Sequence, residues 1–215
     1  MGSWPAARQE FIAICKRAFR LGMQVSTGGN ISIRLDQKSF LVKPSGLSLY
    51  DLREDHLLVV DPSGRVIKGQ GRPTKEMGFH LAIYGVRDDV GAVVHYHPPY
   101  ATSFAVSGWE IPLRTIHAKR ILGRVPIIPL APEGSETLAK SLKEAFGQPD
   151  VRAVLMSCHG IVAAGKELRE AENIAELVEE TAKIAFLSTL LNKNPWQDLS
   201  PTRGSAETPN DLEPS

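Results

Sequence analysis

This sequence predicts an α/β fold: a single domain with a central, mainly antiparallel sheet flanked by helices. Three observations carry that expectation. The chain has 215 residues, 42% hydrophobic and 23% charged, which suits one globular unit with its own core. Strand-like segments come in neighbouring pairs joined by short turns and mixed with helices, rather than in the repeated strand–helix units of a parallel sheet. No internal repeat points to a solenoid or propeller.

Residues 5–21 predict a helix, with Phe11, Ile14, Cys15, Ala18 and Phe19 at three- and four-residue spacing and Gly22 as the stop. Ser26-Thr27-Gly28-Gly29-Asn30 breaks that period, and Ile31, Ile33 and Leu35 then alternate with Ser32 and Arg34 as on a strand. Asp36-Gln37-Lys38 turns the chain into a second strand over 40–43, followed by a Pro44-Ser45-Gly46 loop. Segments 57–61 and 65–68 predict a hairpin around Pro62-Ser63-Gly64. Residues 74–86 predict a helix with Thr74 as N-cap and Glu76 in the first turn. Short strands are expected over 92–95, 126–130 and 153–157, with a helix near 135–146. A long amphipathic helix rich in Glu and Ala over 167–191 closes the domain, whose limits are set at 1–192. Residues 193–215 hold four prolines and little apolar content, and are expected to form a mobile tail.

A net charge of +1 gives no global reason to expect nucleic acid or a membrane surface as partner. Cys15 and Cys158 are too few for a disulfide framework, which suits a reducing compartment. No run of about 18 apolar residues is present, so no membrane-spanning helix is expected. The N-terminus lacks a basic segment followed by an apolar run, and the expected location is the cytoplasm.

Val93-Val94-His95-Tyr96-His97 is the most informative stretch. Two histidines two apart on a strand project from one face, so both imidazoles can reach one cation. A third ligand must come from elsewhere, and His159 is the candidate, at the end of the 153–157 strand with Gly160 allowing a tight turn. Three imidazoles without a thiolate favour a catalytic over a structural metal site. The plainer alternative is a set of packed core histidines. His80, four residues beyond Glu76, reads either as a helix-packing residue or as a hydrogen-bond partner behind the site. His56 and His117 have no spacing argument, and Cys158 alternates onto the opposite strand face as a small buried residue.

Thr27-Gly28-Gly29-Asn30, Ser45-Gly46 and Thr74-Lys75 are short loops rich in glycine, hydroxyl and amide groups, suited to phosphate oxygens. Each taken alone is an ordinary turn. Beside a histidine trio they suggest a phosphorylated substrate held at one end and presented to a cation at the other. Glu76 follows the last loop, where a carboxylate either stabilises the helix dipole or serves as general acid/base.

Together these residues resemble the class II aldolase/adducin family. The matching motifs are Gly28-Gly29-Asn30-Ile31-Ser32, Pro44-Ser45-Gly46, Pro73-Thr74-Lys75-Glu76, Val94-His95-Tyr96-His97 and His159-Gly160, in family order over residues 8–192. The resemblance implies zinc, or another divalent cation such as manganese, on His95, His97 and His159, with Glu76 as acid/base. It implies phosphate binding by Thr27, Gly29, Asn30, Ser45, Gly46 and Thr74, and a homotetramer with sites near subunit interfaces. The implied chemistry is carbon–carbon cleavage of a small phosphorylated keto compound through an enediolate.

Two positions depart from the aldolases of that family. Lys75 stands where they carry a hydroxyl residue, and Ala118 where they commonly carry a tyrosine. Lys75, Gly123-Arg124-Val125-Pro126 and Glu180-Thr181-Ala182-Lys183 resemble the branch that decarboxylates 3-oxo-tetronate 4-phosphate. Decarboxylation is therefore the expected reaction, with Lys75 on the substrate's phosphate or carboxylate. Retro-aldol cleavage of a ketose phosphate, epimerisation and a non-catalytic adducin-like interaction module are the alternatives.

Overall fold

The computed structural model describes residues 4–193. The expected tail, 193–215, lies outside the described residues apart from the last residue of the final helix. Eight strands form one sheet in the order β4-β3-β2-β1-β5-β8-β7-β6. In chain order they are β1 (Asn30–Asp36), β2 (Ser39–Val42), β3 (Leu58–Val60), β4 (Val66–Lys68), β5 (Ala92–Tyr96), β6 (Ile127–Ile128), β7 (Ala153–Met156) and β8 (Gly160–Gly165). Every neighbouring pair is antiparallel except β6 with β7. That parallel pair is joined by a helical crossover, as parallel neighbours require.

Helices α1 (Trp4–Arg20), α3 (Pro99–Ser107), α4 (Ile116–Leu122) and α6 (Leu168–Lys193) share one core with one sheet face. Helices α2 (Met77–Val86) and α5 (Glu136–Phe146) cover the other face. The alternation within strands sorts the side chains. Ala92, Val94 and Tyr96 of β5 enter the first core, and Val93 enters the second. In β1, Ile31 enters the first core while Ser32 reaches His80 and Tyr84 of α2. Asn30, Ser32 and Arg34 of β1 therefore face α2.

The predicted β1–β2 and β3–β4 hairpins are present; β1 is one residue longer at each end than expected, β2 is shifted by one residue, and β3 and β4 are shorter. The sequence reading missed β8, α3 and α4. Strand β8 reads Gly-Ile-Val-Ala-Ala-Gly and is buried throughout, so no polar alternation marks it. Helices α3 and α4 span nine and seven residues, too short for a clear helical period.

Thr74 is not the N-cap of α2. Glu76 occupies that position, and the Thr74 hydroxyl accepts a hydrogen bond from the Glu76 amide at 3.2 Å. This puts the Glu76 side chain at the mouth of the helix.

Candidate metal and substrate site

Strand β5 runs between β1 and β8, and its C-terminal end carries the two histidines. Asn30 lies directly across from His95 on one side, and Val162 on the other. His97 follows one residue after the strand ends. His159 arrives from the turn joining β7 to β8, not from the end of a strand. Cys158, not Gly160, takes the left-handed backbone conformation of that turn, and its side chain is exposed rather than buried. Gly160 answers a different demand. A Cβ there would meet the Tyr96 carbonyl oxygen and lie 2.7 Å from His97 Cδ2, so the β5–β8 contact needs glycine.

The three imidazoles converge, with one ligand atom of each within 4.8 Å of the others. The His95 Nδ1–H donates to the Ile161 carbonyl at 2.8 Å. That fixes the tautomer and leaves the Nε2 lone pair facing the cluster, buried and without a partner. Burial lowers the affinity of all three rings for protons, holding His97 down to about 4. Neutral imidazoles with unshared lone pairs, no thiolate and a nearby carboxylate fit a divalent cation well.

Glu76 is that carboxylate. Its Oε2 lies 3.3 Å from His95 Nε2, and its Oε1 lies 3.5 Å from His159 Nε2. Asn30 Nδ2 donates to Oε2 at 2.9 Å, while Oε1 has no partner. Burial pushes the Glu76 carboxyl up to about 7, opposed by the Asn30 bond and aided by the negative charge of Glu133.

A cavity of about 190 Å³ opens beside these groups. It is lined by Thr27, Gly29, Asn30, Ser45, Gly46, Thr74, Lys75, Glu76 and His97, so all the predicted loop residues meet at one place. Pairing of Pro44 with Pro73 and the Ser45 N–H to Arg72 carbonyl bond, 2.8 Å, hold two of the loops side by side. Gly29 has φ 66°, and any side chain there would strike Gln24. A larger cleft of about 540 Å³, between α1, α3 and α6, shares none of these residues and lacks the histidine cluster.

Three neighbours of the site escaped the sequence reading. Lys43 is 2% exposed, lines the cavity, and donates to the Thr27 carbonyl at 3.2 Å; burial pushes its ammonium down to about 8. A lysine continuing an apolar strand was the available signal. Gln24 accepts from the His97 amide at 3.0 Å and braces the glycine loop. Glu133 lines the cavity 4.0 Å from His159, and nothing in its Pro-Glu-Gly setting advertises that.

The sequence family described as Class II Aldolase and Adducin N-terminal domain matches residues 9–186. The chain belongs to this family. It is 34% identical over 180 residues to a 5-deoxy-D-ribulose 1-phosphate aldolase from Bacillus thuringiensis serovar kurstaki, covering 83% of this chain and 84% of that one. It is 33% identical over 192 residues to a 3-oxo-tetronate 4-phosphate decarboxylase from Pectobacterium atrosepticum, covering 87% of each. An L-fuculose 1-phosphate aldolase structure superposes with a TM-score of 0.80 at 32% identity, covering 89% of both chains. These class II relatives are all lyases, and the chain is an enzyme of that lyase type.

Proposed function

We propose that the chain decarboxylates a phosphorylated four-carbon keto acid of the 3-oxo-tetronate 4-phosphate type, giving dihydroxyacetone phosphate. The reading takes His95, His97 and His159 as ligands of a divalent cation, zinc first. When bound there, the cation supplies Lewis-acid polarisation of a carbonyl and its adjacent hydroxyl. The Thr27–Asn30, Ser45-Gly46 and Thr74-Lys75 loops hold the phosphate, with Lys43 and Lys75 supplying positive charge. Loss of carbon dioxide breaks the bond from the carboxyl carbon, and its electron pair stays behind as an enediolate. Glu76 delivers the proton that the hydroxyl-bearing carbon, which kept that electron pair, then needs.

The observation that supports this reading is the distribution of charge around the cavity. Two lysines line it, matching the additional carboxylate of a keto acid. Ala118 is fully buried in α4 and offers no proton-transfer group. Retro-aldol cleavage needs a base for the substrate hydroxyl; decarboxylation does not. Glu133 favours the second reading, retro-aldol cleavage of a ketose 1-phosphate, because its carboxylate stands 4.0 Å from His159.

A substrate screen that scores carbon dioxide and dihydroxyacetone phosphate separately tests both. The parent should decarboxylate 3-oxo-tetronate 4-phosphate and cleave fuculose and ribulose 1-phosphates poorly. Faster aldol cleavage, abolished in Glu133→Gln, would reject the decarboxylase reading. Homotetrameric assembly belongs to the same proposal, and light scattering measures it directly.

A further inference from the structure

Helix α2 and strand β1 interlock through two periods. Glu76, His80 and Tyr84 recur every four residues along the start and one face of α2. Asn30 and Ser32 recur every two residues on the β1 face that meets it. Their side chains form one buried chain of hydrogen bonds. Asn30 Nδ2 bonds Glu76 Oε2 at 2.9 Å, and Asn30 Oδ1 meets His80 Nε2 at 2.5 Å. His80 Nδ1 meets Ser32 Oγ at 2.8 Å, and Ser32 Oγ meets the Tyr84 hydroxyl at 2.8 Å. His80 is fully buried and stacks on Phe79, with ring centroids 4.6 Å apart.

We infer that His80 is a positioning residue for Glu76, acting through Asn30 by fixing which end of the Asn30 amide faces the carboxylate. The inference rests on the reading of Glu76 as the proton-transfer group.

The directions of the bonds carry the argument. An unprotonated carboxyl oxygen only accepts, so with any Glu76 proton carried on Oε1, Asn30 presents its NH₂ to Oε2 and its oxygen to His80. His80 must then carry its proton on Nε2, and its Nδ1 must accept from the Ser32 hydroxyl. Ser32 in turn accepts from the Tyr84 hydroxyl, and the chain ends on a donor. Each member thus has one consistent role. Burial holds the His80 imidazole down to about 3, so it stays neutral and keeps one acceptor nitrogen. Without the His80 donor, the Asn30 amide is free to turn and set its oxygen against Glu76. Glu76 Oε2 is pinned by this chain, which leaves Oε1, buried without a hydrogen-bond partner 3.5 Å from His159 Nε2, for the chemistry at the imidazole cluster.

His80→Phe keeps a stacking ring but removes both hydrogen bonds. It should lower kcat about 10–100-fold while metal content, KM and affinity for dihydroxyacetone phosphate stay within about twofold. His80→Gln, which restores an N–H donor, should regain most of the loss. In an Asn30→Ala background, His80→Phe should add nothing further, because its path to Glu76 is gone. Histidine-selective ¹⁵N NMR of the parent should show His80 as the neutral Nε2–H tautomer across neutral pH. Parental kcat in His80→Phe, with Glu76→Gln inactive, would overturn the inference and leave the function reading standing. Parental kcat in Glu76→Gln would remove the function reading itself. Losses that multiply in the double variant, or an Nδ1–H tautomer, would also overturn the inference, the tautomer deciding even where His80→Phe does not fold.

Discussion

At the scale of single residues, Glu76 sits under opposed influences. Burial favours its neutral acid, the Asn30 amide favours its carboxylate, and the result lies near neutrality at about 7. A group poised there can hold or release a proton at working pH, which is what acid/base chemistry needs. Glu76→Gln keeps the shape of the side chain and an acceptor oxygen, but cannot titrate. It should fold, bind metal and bind phosphate as the parent does, while turnover falls about 10²–10⁴-fold. Steady-state kinetics beside metal analysis checks this, and turnover within about twofold of the parent would reduce Glu76 to a helix-terminal charge.

Among the elements, β5 and β8 decide whether the histidines meet. Strand β5 presents His95 and His97, while β8 supplies the Ile161 carbonyl that orients His95 and begins at the turn carrying His159. The two strands approach so closely at Gly160 that a side chain there would press on Tyr96 and His97. Gly160→Ala should therefore do two things at once. Thermal unfolding should show a loss of about 1–3 kcal/mol from overpacking. The displaced His97 ring should also lower bound metal per chain, measured by elemental analysis. Parental metal content in a destabilised Gly160→Ala variant would show that β5 and β8 can part without disturbing the cluster.

Across the whole molecule, the helix layer opposite α2 is anchored by a buried acid. The Tyr96 hydroxyl, from the residue between His95 and His97, donates to Glu172 Oε2 of α6 at 2.7 Å. Glu172 is fully buried, its Oε1 has no partner, and burial pushes its carboxyl up to about 8. A folded-state value raised above the unfolded one means that the folded chain holds the proton longer. The stability this group contributes is complete below about pH 4.5, its ordinary value, and is lost as pH climbs through about 8. Glu172→Gln still accepts from Tyr96 and carries no charge to bury. Its melting temperature relative to the parent should rise from pH 5 to pH 8, the interval of about three units over which linkage acts. A constant difference across that interval would place the parent's Glu172 in water-like surroundings. No helix among the described residues is long and apolar enough to cross a membrane.

The sequence by itself determined the motifs and their order, because local chemistry marks them. Alternation disclosed β1, glycine and hydroxyl clusters disclosed the loops, and His95-Tyr96-His97 disclosed the imidazole pair. Only the tertiary structure decided what those motifs share. His159 joins His95 and His97 through a strand pairing that spacing along the chain does not express, and β8 itself is hidden by its unbroken burial. Lys43, Gln24 and Glu133 reach the site from segments whose residues look ordinary until the loops are packed together. The His80 chain needs both periods at once: four-residue spacing on α2 and two-residue spacing on β1 can be read separately, but their register is set by the packing of helix on sheet. Local propensity acts over a few residues, whereas a site is assembled by contacts between residues far apart in sequence, and burial then sets the protonation of each group.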